Sequence, residues 1–161
     1  MIEFEPWSID EDYGVTPRTY AIATYDHITY QSIVFDEDGV FLQKRTPFQL
    51  IKEACLYGGS NFKGRLGYSK FTFPNKKKLP IAVDPLYSIF AYPTIGFELR
   101  DCFWIFASAN PYYVKIDPRN TRLIFPNKSH LDVPISHTTC LKQQMMLSQL
   151  IVTHSKRFYD Q

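Results

Sequence analysis

The sequence predicts an α+β fold: a single domain with a largely antiparallel β-sheet, one inserted helix and one C-terminal helix. Three observations predict it. The chain has 161 residues, which suits one domain, since single cores usually serve roughly 100–150 residues. Aromatic residues make up 16% of it, and 11 prolines against 7 glycines fit many short strands joined by turns. The hydrophobic period is two along most of the chain and lengthens to a helical 3.6 in only two stretches. Apolar residues at 45% and charged residues at 21% lie near globular averages and exclude a disordered chain.

The elements follow in order. Residues 1–17 are acidic and lack a period, so a flexible arm is expected there, ahead of a domain over 18–161. YAIATY and ITYQSIVF, from Tyr20 to Phe35, are β-branched and aromatic and break at Asp26 and His27, which reads as strand, tight turn, strand. DEDG at 36–39 makes the next turn and VFLQ at 40–43 a short strand. Thr46 as N-cap and Pro47 at the first helical position open a helix through Phe48, Leu50, Ile51, Ala54, Cys55 and Tyr57, which Gly58 and Gly59 stop. GGSNFKGRLGY then reads as a glycine-rich basic loop and YSKFTF at 68–73 as an alternating strand, closed by the turn PNKKK. IAV and YSIFAY, split by Asp84 and Pro85, give two more strands, and CFWIFA at 102–107 a buried one. YYVKI, RLIF and LDVPI, separated by DPRN and PNKS turns, read as successive hairpins. Ser136 then caps a final helix of about 20 residues, with Leu147, Leu150, Ile151, His154 and Phe158 on one face. Both helices are expected on one side of the sheet.

The net charge of +2 conceals an asymmetry: residues 1–38 hold nine acids and one base, a charge of −8, which leaves +10 for the remainder. Lys63, Arg65, Lys70, Lys76, Lys77 and Lys78 crowd into residues 63–78 with no acid among them. Such a segment can hold a polyanion, and an acidic N-terminal segment can compete for it. A solvated lysine face is the plainer reading. Tyr57, Phe62, Tyr68, Phe71 and Phe73 interleave with these bases. That mixture suits nucleic acid, where lysines neutralise phosphates and an arginine reaches into a narrowed groove. A strand with aromatics inward and lysines outward fits the alternation equally well.

Other chemistries find little support. The gap from Gly59 to Gly64 has P-loop spacing, but Arg65 stands where the phosphate lysine belongs and Leu66 where a hydroxyl must bind magnesium. Cys55, Cys102 and Cys140 are widely spaced, without a C-x-x-C pair, and read as reduced, buried thiols. His137 and Cys140 lie three apart with no second ligand pair to complete a zinc site. His154, on an apolar helix face, reads as a core or interface residue, and the acid groups at 10–12 and 36–38 as solvated turns. Neither an enzyme nor a cofactor or metal site is expected. No apolar run approaches a membrane span, and the acidic start lacks a signal peptide's positive region. A soluble, cytoplasmic protein with no membrane partner is the expectation.

CLYGGSNFKGRLGY, KKLPIAVDP, IFAYPT, CFWI, FPNK and VPIS occur in the order and spacing of a known family. From about Tyr20 to Ser136 the chain resembles the competence transcription factor family, the ComK-like proteins of low-GC Gram-positive bacteria. The resemblance implies a DNA-binding activator of genes for DNA uptake. It would bind paired AT-rich boxes in double-stranded DNA from one face, largely through the minor groove, as associated dimers. Minor-groove readout distinguishes little beyond A·T from G·C, so groove width and phosphate contacts would carry recognition; no convincing helix-turn-helix is legible. Lys63, Arg65, Lys70, Lys76, Lys77 and Lys78 are the expected DNA-binding face, with Arg65 the groove probe. Better known members continue into a tail by which an adaptor delivers them to an ATP-dependent protease. This sequence stops at Gln161, which puts adaptor control through that tail in doubt and makes the acidic segment 1–38 a candidate autoinhibitory arm. The rival reading is a protein-interaction module of the same fold that has lost DNA binding.

Overall fold

A computed structural model describes residues 8–9 and 13–159. The chain runs β1 (Ser8–Ile9), β2 (Thr19–Thr24), β3 (Ser32–Asp36), β4 (Gly39–Gln43), α1 (Pro47–Tyr57), α2 (Phe62–Thr72), β5 (Ile81–Asp84) and β6 (Ile89–Pro93). It continues through β7 (Trp104–Phe106), β8 (Tyr112–Asp117), β9 (Asn120–Ile124), β10 (His130–Val133) and α3 (His137–Phe158). One sheet has the order β1-β4-β3-β2-β7-β6-β5, and a smaller one the order β10-β9-β8. Only the short β1–β4 pairing is parallel among the described strands. The fold is α+β and mostly antiparallel, as predicted.

The helices do not share one side of the sheet. Along β2, Ala21 and Ala23 face one core and Ile22 the other; β3 repeats this with Ile33 and Phe35 against Val34, and β7 with Ile105 against Trp104 and Phe106. Strands apolar on both faces need cover on both. Leu50, Ile51, Ala54 and Cys55 of α1 cover one side; Leu123 and Leu131 of the small sheet, with Cys140, Leu147 and Leu150 of α3, cover the other.

α1 starts where the sequence places it, with Thr46 Oγ1 accepting from Gln49 N–H and the Gln49 side chain accepting from Thr46 N–H, a complete capping box. The next element departs from expectation. Residues 62–72 form α2 where a basic loop and the strand YSKFTF were predicted. Asn61 caps it, its Oδ1 accepting from Gly64 N–H at 2.8 Å. Phe62 and Ser69 are buried, and Arg65, Leu66 and Thr72 half-buried, at helical spacing. Phe62 belongs to the core beneath α1, whereas Tyr68 and Phe73 pack on the opposite core. α2 therefore crosses the open edge of β5, an edge that otherwise invites pairing with another chain.

The β2–β3 connection is longer than the expected tight turn, because β3 begins at Ser32 and leaves residues 25–31 as a loop. The expected acidic arm lies largely outside the described residues, including Asp10, Glu11 and Asp12. Of its remainder, Ser8–Ile9 pairs with β4, and the buried Tyr13 donates its hydroxyl to Asp36 Oδ2 at 2.9 Å.

α3 is capped by Ser136 and buries Cys140, Gln143, Leu147, Leu150 and His154, while Phe158, expected on the core face, is 61% exposed and lies over the His154 ring. His154 Nδ1 lies 3.2 Å from Tyr68 Oη. Burial, then Arg65 and Arg157, lowers the His154 pKa below 6.5. The neutral ring is favoured in the folded state, so this contribution to stability is present above about pH 6.5, the ordinary value, and is lost as pH falls from there through the lower folded-state pKa. In urea titrations at pH 7.5 and 5.5, His154→Gln is expected to lose less stability on acidification than the wild type. Equal losses would exclude His154 as the source.

Candidate nucleic-acid interface

α2 and the turn behind it decide where the basic side chains stand. Lys63 and Lys70 are exposed seven residues apart on the outer face of α2, about 10 Å along the axis. Past Thr72 the chain turns through residues 73–80. Asn75 at φ 65° and Lys78 at φ 52° are both left-handed, a conformation that asparagine accepts readily and lysine does not. Buried contacts fix the turn from two sides. Ser69 Oγ donates to Pro80 O at 2.5 Å, and the buried Gln143 Nε2 donates to Lys78 O at 2.8 Å and to Pro93 O at 2.9 Å. Leu79 and Pro80 are buried, while Lys76, Lys77 and Lys78 stay exposed.

Lys70, Lys76, Lys77 and Lys78 line one groove of about 590 Å³, whose apolar walls include Leu66, Leu79, Phe97 and Leu99. Glu98 is its one acid. None of these four lysines, nor Lys63, makes an ion pair with a described residue. Elsewhere Arg18, Arg45, Arg100 and Arg122 are paired with carboxylates. Among the described residues, the groove rim is thus a concentration of positive charge without ion-pair partners.

Lys63 stands apart, at a second cleft of about 340 Å³ shared with Lys52, Leu56, Asn61 and Phe62. Arg65 is not presented as a groove probe. Its Nη2 donates to Gly58 O at 2.8 Å, tying α2 to the end of α1, and its buried Nε meets no partner among the described residues.

Strand directions bring further segments to the lysine turn. Antiparallel pairing places the ends of β2, β4 and β6 and the starts of β3, β5 and β7 at one end of the large sheet. The lysine turn, the 94–103 connection, the 25–31 loop and the β4–α1 junction therefore share that end. A cleft of about 350 Å³ joins the last three of these, lined by Thr24, Gln31, Thr46, Phe48, Phe97 and Arg100 among others. No local sequence signal links Phe97, Leu99 or Arg100 to the lysines; only sheet order does.

The structure also supplies a motif that was not legible. α1 and α2 are joined by Gly58–Asn61, a four-residue turn of helix-turn-helix length. Gly59 takes φ +89°, and a Cβ on Gly58 would meet Val83 O at 2.9 Å, so the turn needs both glycines.

The three cysteines weighed for catalysis are free and buried, as expected, whereas Asp36, expected in a solvated turn, is buried. Burial pushes the thiols of Cys55, Cys102 and Cys140 up to about 11, the opposite of what a thiolate nucleophile requires. Asp36 accepts from Tyr13 Oη, and Glu37 and Asp38 pair with Arg18. No cluster of three or more metal-ligating side chains occurs among the described residues, and no described helix is long and apolar enough to cross a membrane.

A family model described as ComK protein matches residues 10–158. A curated relative, "Competence transcription factor" of Bacillus subtilis (strain 168), is 28% identical over 108 residues, which are 67% of this chain and 56% of that protein. The chain thus spans about half the length of the curated relative it matches. No solved structure matches.

Proposed function

The chain belongs to the ComK protein family, whose match extends over residues 10–158, and from that premise we propose that it is a DNA-binding regulator of competence transcription acting in the cytoplasm at the nucleoid. The observation that carries the proposal is the set of exposed lysines, Lys70, Lys76, Lys77 and Lys78 around one groove with Lys63 on the same helix, none paired with an acid among the described residues. Phosphates are the partners such a surface lacks. Each lysine that meets one releases a counterion, so affinity falls steeply with salt. AT-rich boxes are the expected targets, read mainly through minor-groove width and the backbone, with two copies or a pair of dimers on paired boxes. Arg65 supports the frame of α2, and the groove contacts fall to the lysines.

The α1–turn–α2 unit favours a second reading, in which α2 enters the major groove and Lys63 meets base edges. The two readings separate in one titration series. Fluorescence anisotropy with an AT-rich two-box duplex and a GC-rich duplex of equal length is expected to show tighter AT-rich binding. Its log affinity should fall against log salt at about 0.9 per phosphate contact. Loss of binding to a minor-groove drug would support the first reading. Loss on replacing adenine by 7-deazaadenine, which removes a major-groove acceptor, would support the second. No binding at low salt would leave a protein-interaction module.

A further inference from the structure

We propose that Ile28, at the apex of the β2–β3 loop, is an apolar wedge that enters a base step of bound DNA and kinks the duplex. The proposal rests on the DNA-binding reading above. Ile28 is 99% exposed. A lone exposed aliphatic residue is ordinary on a protein surface; two features set this one apart.

The first is the stiffness of its mount. Tyr25 and Tyr30 are half-buried against the core, and the His27 ring stacks on both, with centroids 5.8 and 5.4 Å apart and planes inclined by 16° and 29°. His27 Nδ1 accepts the backbone N–H of Thr29 at 3.0 Å and of Tyr30 at 3.4 Å, which fixes the turn around Ile28. A side chain held out by a rooted three-ring stack can insert without ordering its loop first, which avoids a common cost of binding.

The second is its position. The loop stands at the same end of the sheet as Lys76, Lys77 and Lys78, and β2 is separated from β5 by β7 and β6. Three strand spacings are about 14 Å, or about four base-pair rises of 3.4 Å. Wedge and lysines therefore fit one face of one short duplex segment. The single acid in the loop, Asp26, lies 3.2 Å from Arg100 Nη2, which counters its charge. Proteins that bind the minor groove part base steps with such side chains and bend the duplex to wrap more surface. AT-rich sites supply TA steps, which unstack easily.

The test uses an AT-rich duplex with 2-aminopurine at a TA step and a donor–acceptor dye pair at its ends. Wild type is expected to raise both 2-aminopurine fluorescence and end-to-end energy transfer. Ile28→Ala is expected to bind within about tenfold of wild type with an unchanged salt slope, since no phosphate contact is lost, yet to give neither signal; Ile28→Met should restore both. Equal signals from Ile28→Ala, or a wild type that binds without either, would overturn the wedge and leave the DNA-binding reading intact. Failure of the wild type to bind at low salt would overturn both.

Discussion

Changing Lys76, Lys77 and Lys78 together to glutamate is expected to weaken binding to an AT-rich duplex several hundred-fold near 0.1 M salt. At about 0.9 per phosphate contact, three lost contacts remove about 2.7 powers of ten relative to 1 M salt, and the salt slope should flatten by the same 2.7. Reversed charge adds repulsion, so the figure is a lower bound for the glutamate variant. The loss should be nearly uniform across sequences, because phosphate contacts carry affinity and little sequence information. Folding should survive, since all three side chains are exposed and the turn is held through backbone carbonyls by Ser69 and Gln143. Anisotropy titrations beside a urea denaturation curve make the check. Unchanged affinity in a folded variant would remove this turn from the interface.

The largest stability effect is expected at Trp104. This residue is fully buried between the sheet and α1, and it meets the Phe62 ring edge-on at 6.2 Å. Truncation to alanine should cost about 3–5 kcal/mol from lost burial and the cavity left behind. A domain has only about 5–15 kcal/mol of stability, so Trp104→Ala should be largely unfolded at 37 °C or nearly so. Because Trp104 Nε1 has no hydrogen-bond partner among the described residues, Trp104→Phe loses volume and no polar contact, and should cost well under half as much. Urea midpoints for the two variants test this, and equal losses would show that the indole nitrogen matters after all.

Much of the fold was legible because local chemistry and tertiary need agree. Thr46, Pro47 and the two glycines bracket α1, and Ser136 opens α3, where capping signals coincide with apolar periodicity. The hairpin strands of the small sheet also alternate, with Leu123, Leu131 and Val133 inward. α2 was not legible. Gly64 and Gly67 lower its helix propensity, and YSKFTF alternates well enough to pass for a strand. The helix forms because Asn61 caps it and because Phe62, Ser69 and Tyr68 have β5 and the cores on either side to cover. The strands AIA and IVF did carry a sign that both faces need cover, since neither places a polar residue on either side.

The sequence by itself determined the α+β class, the family resemblance and the concentration of positive charge over residues 63–78, all of which depend on residue types and short spacings. Tertiary structure alone decided where that charge stands. It turned Arg65 inward to Gly58 O, set Lys63 apart, and gathered Lys70 with Lys76, Lys77 and Lys78 around a groove walled by Phe97 and Leu99. It also brought Ile28 to the same end of the sheet. The physical reason is that strand order and direction join residues dozens of positions apart. These are fixed by the burial of two apolar faces at once, a property of the whole chain that no local window contains.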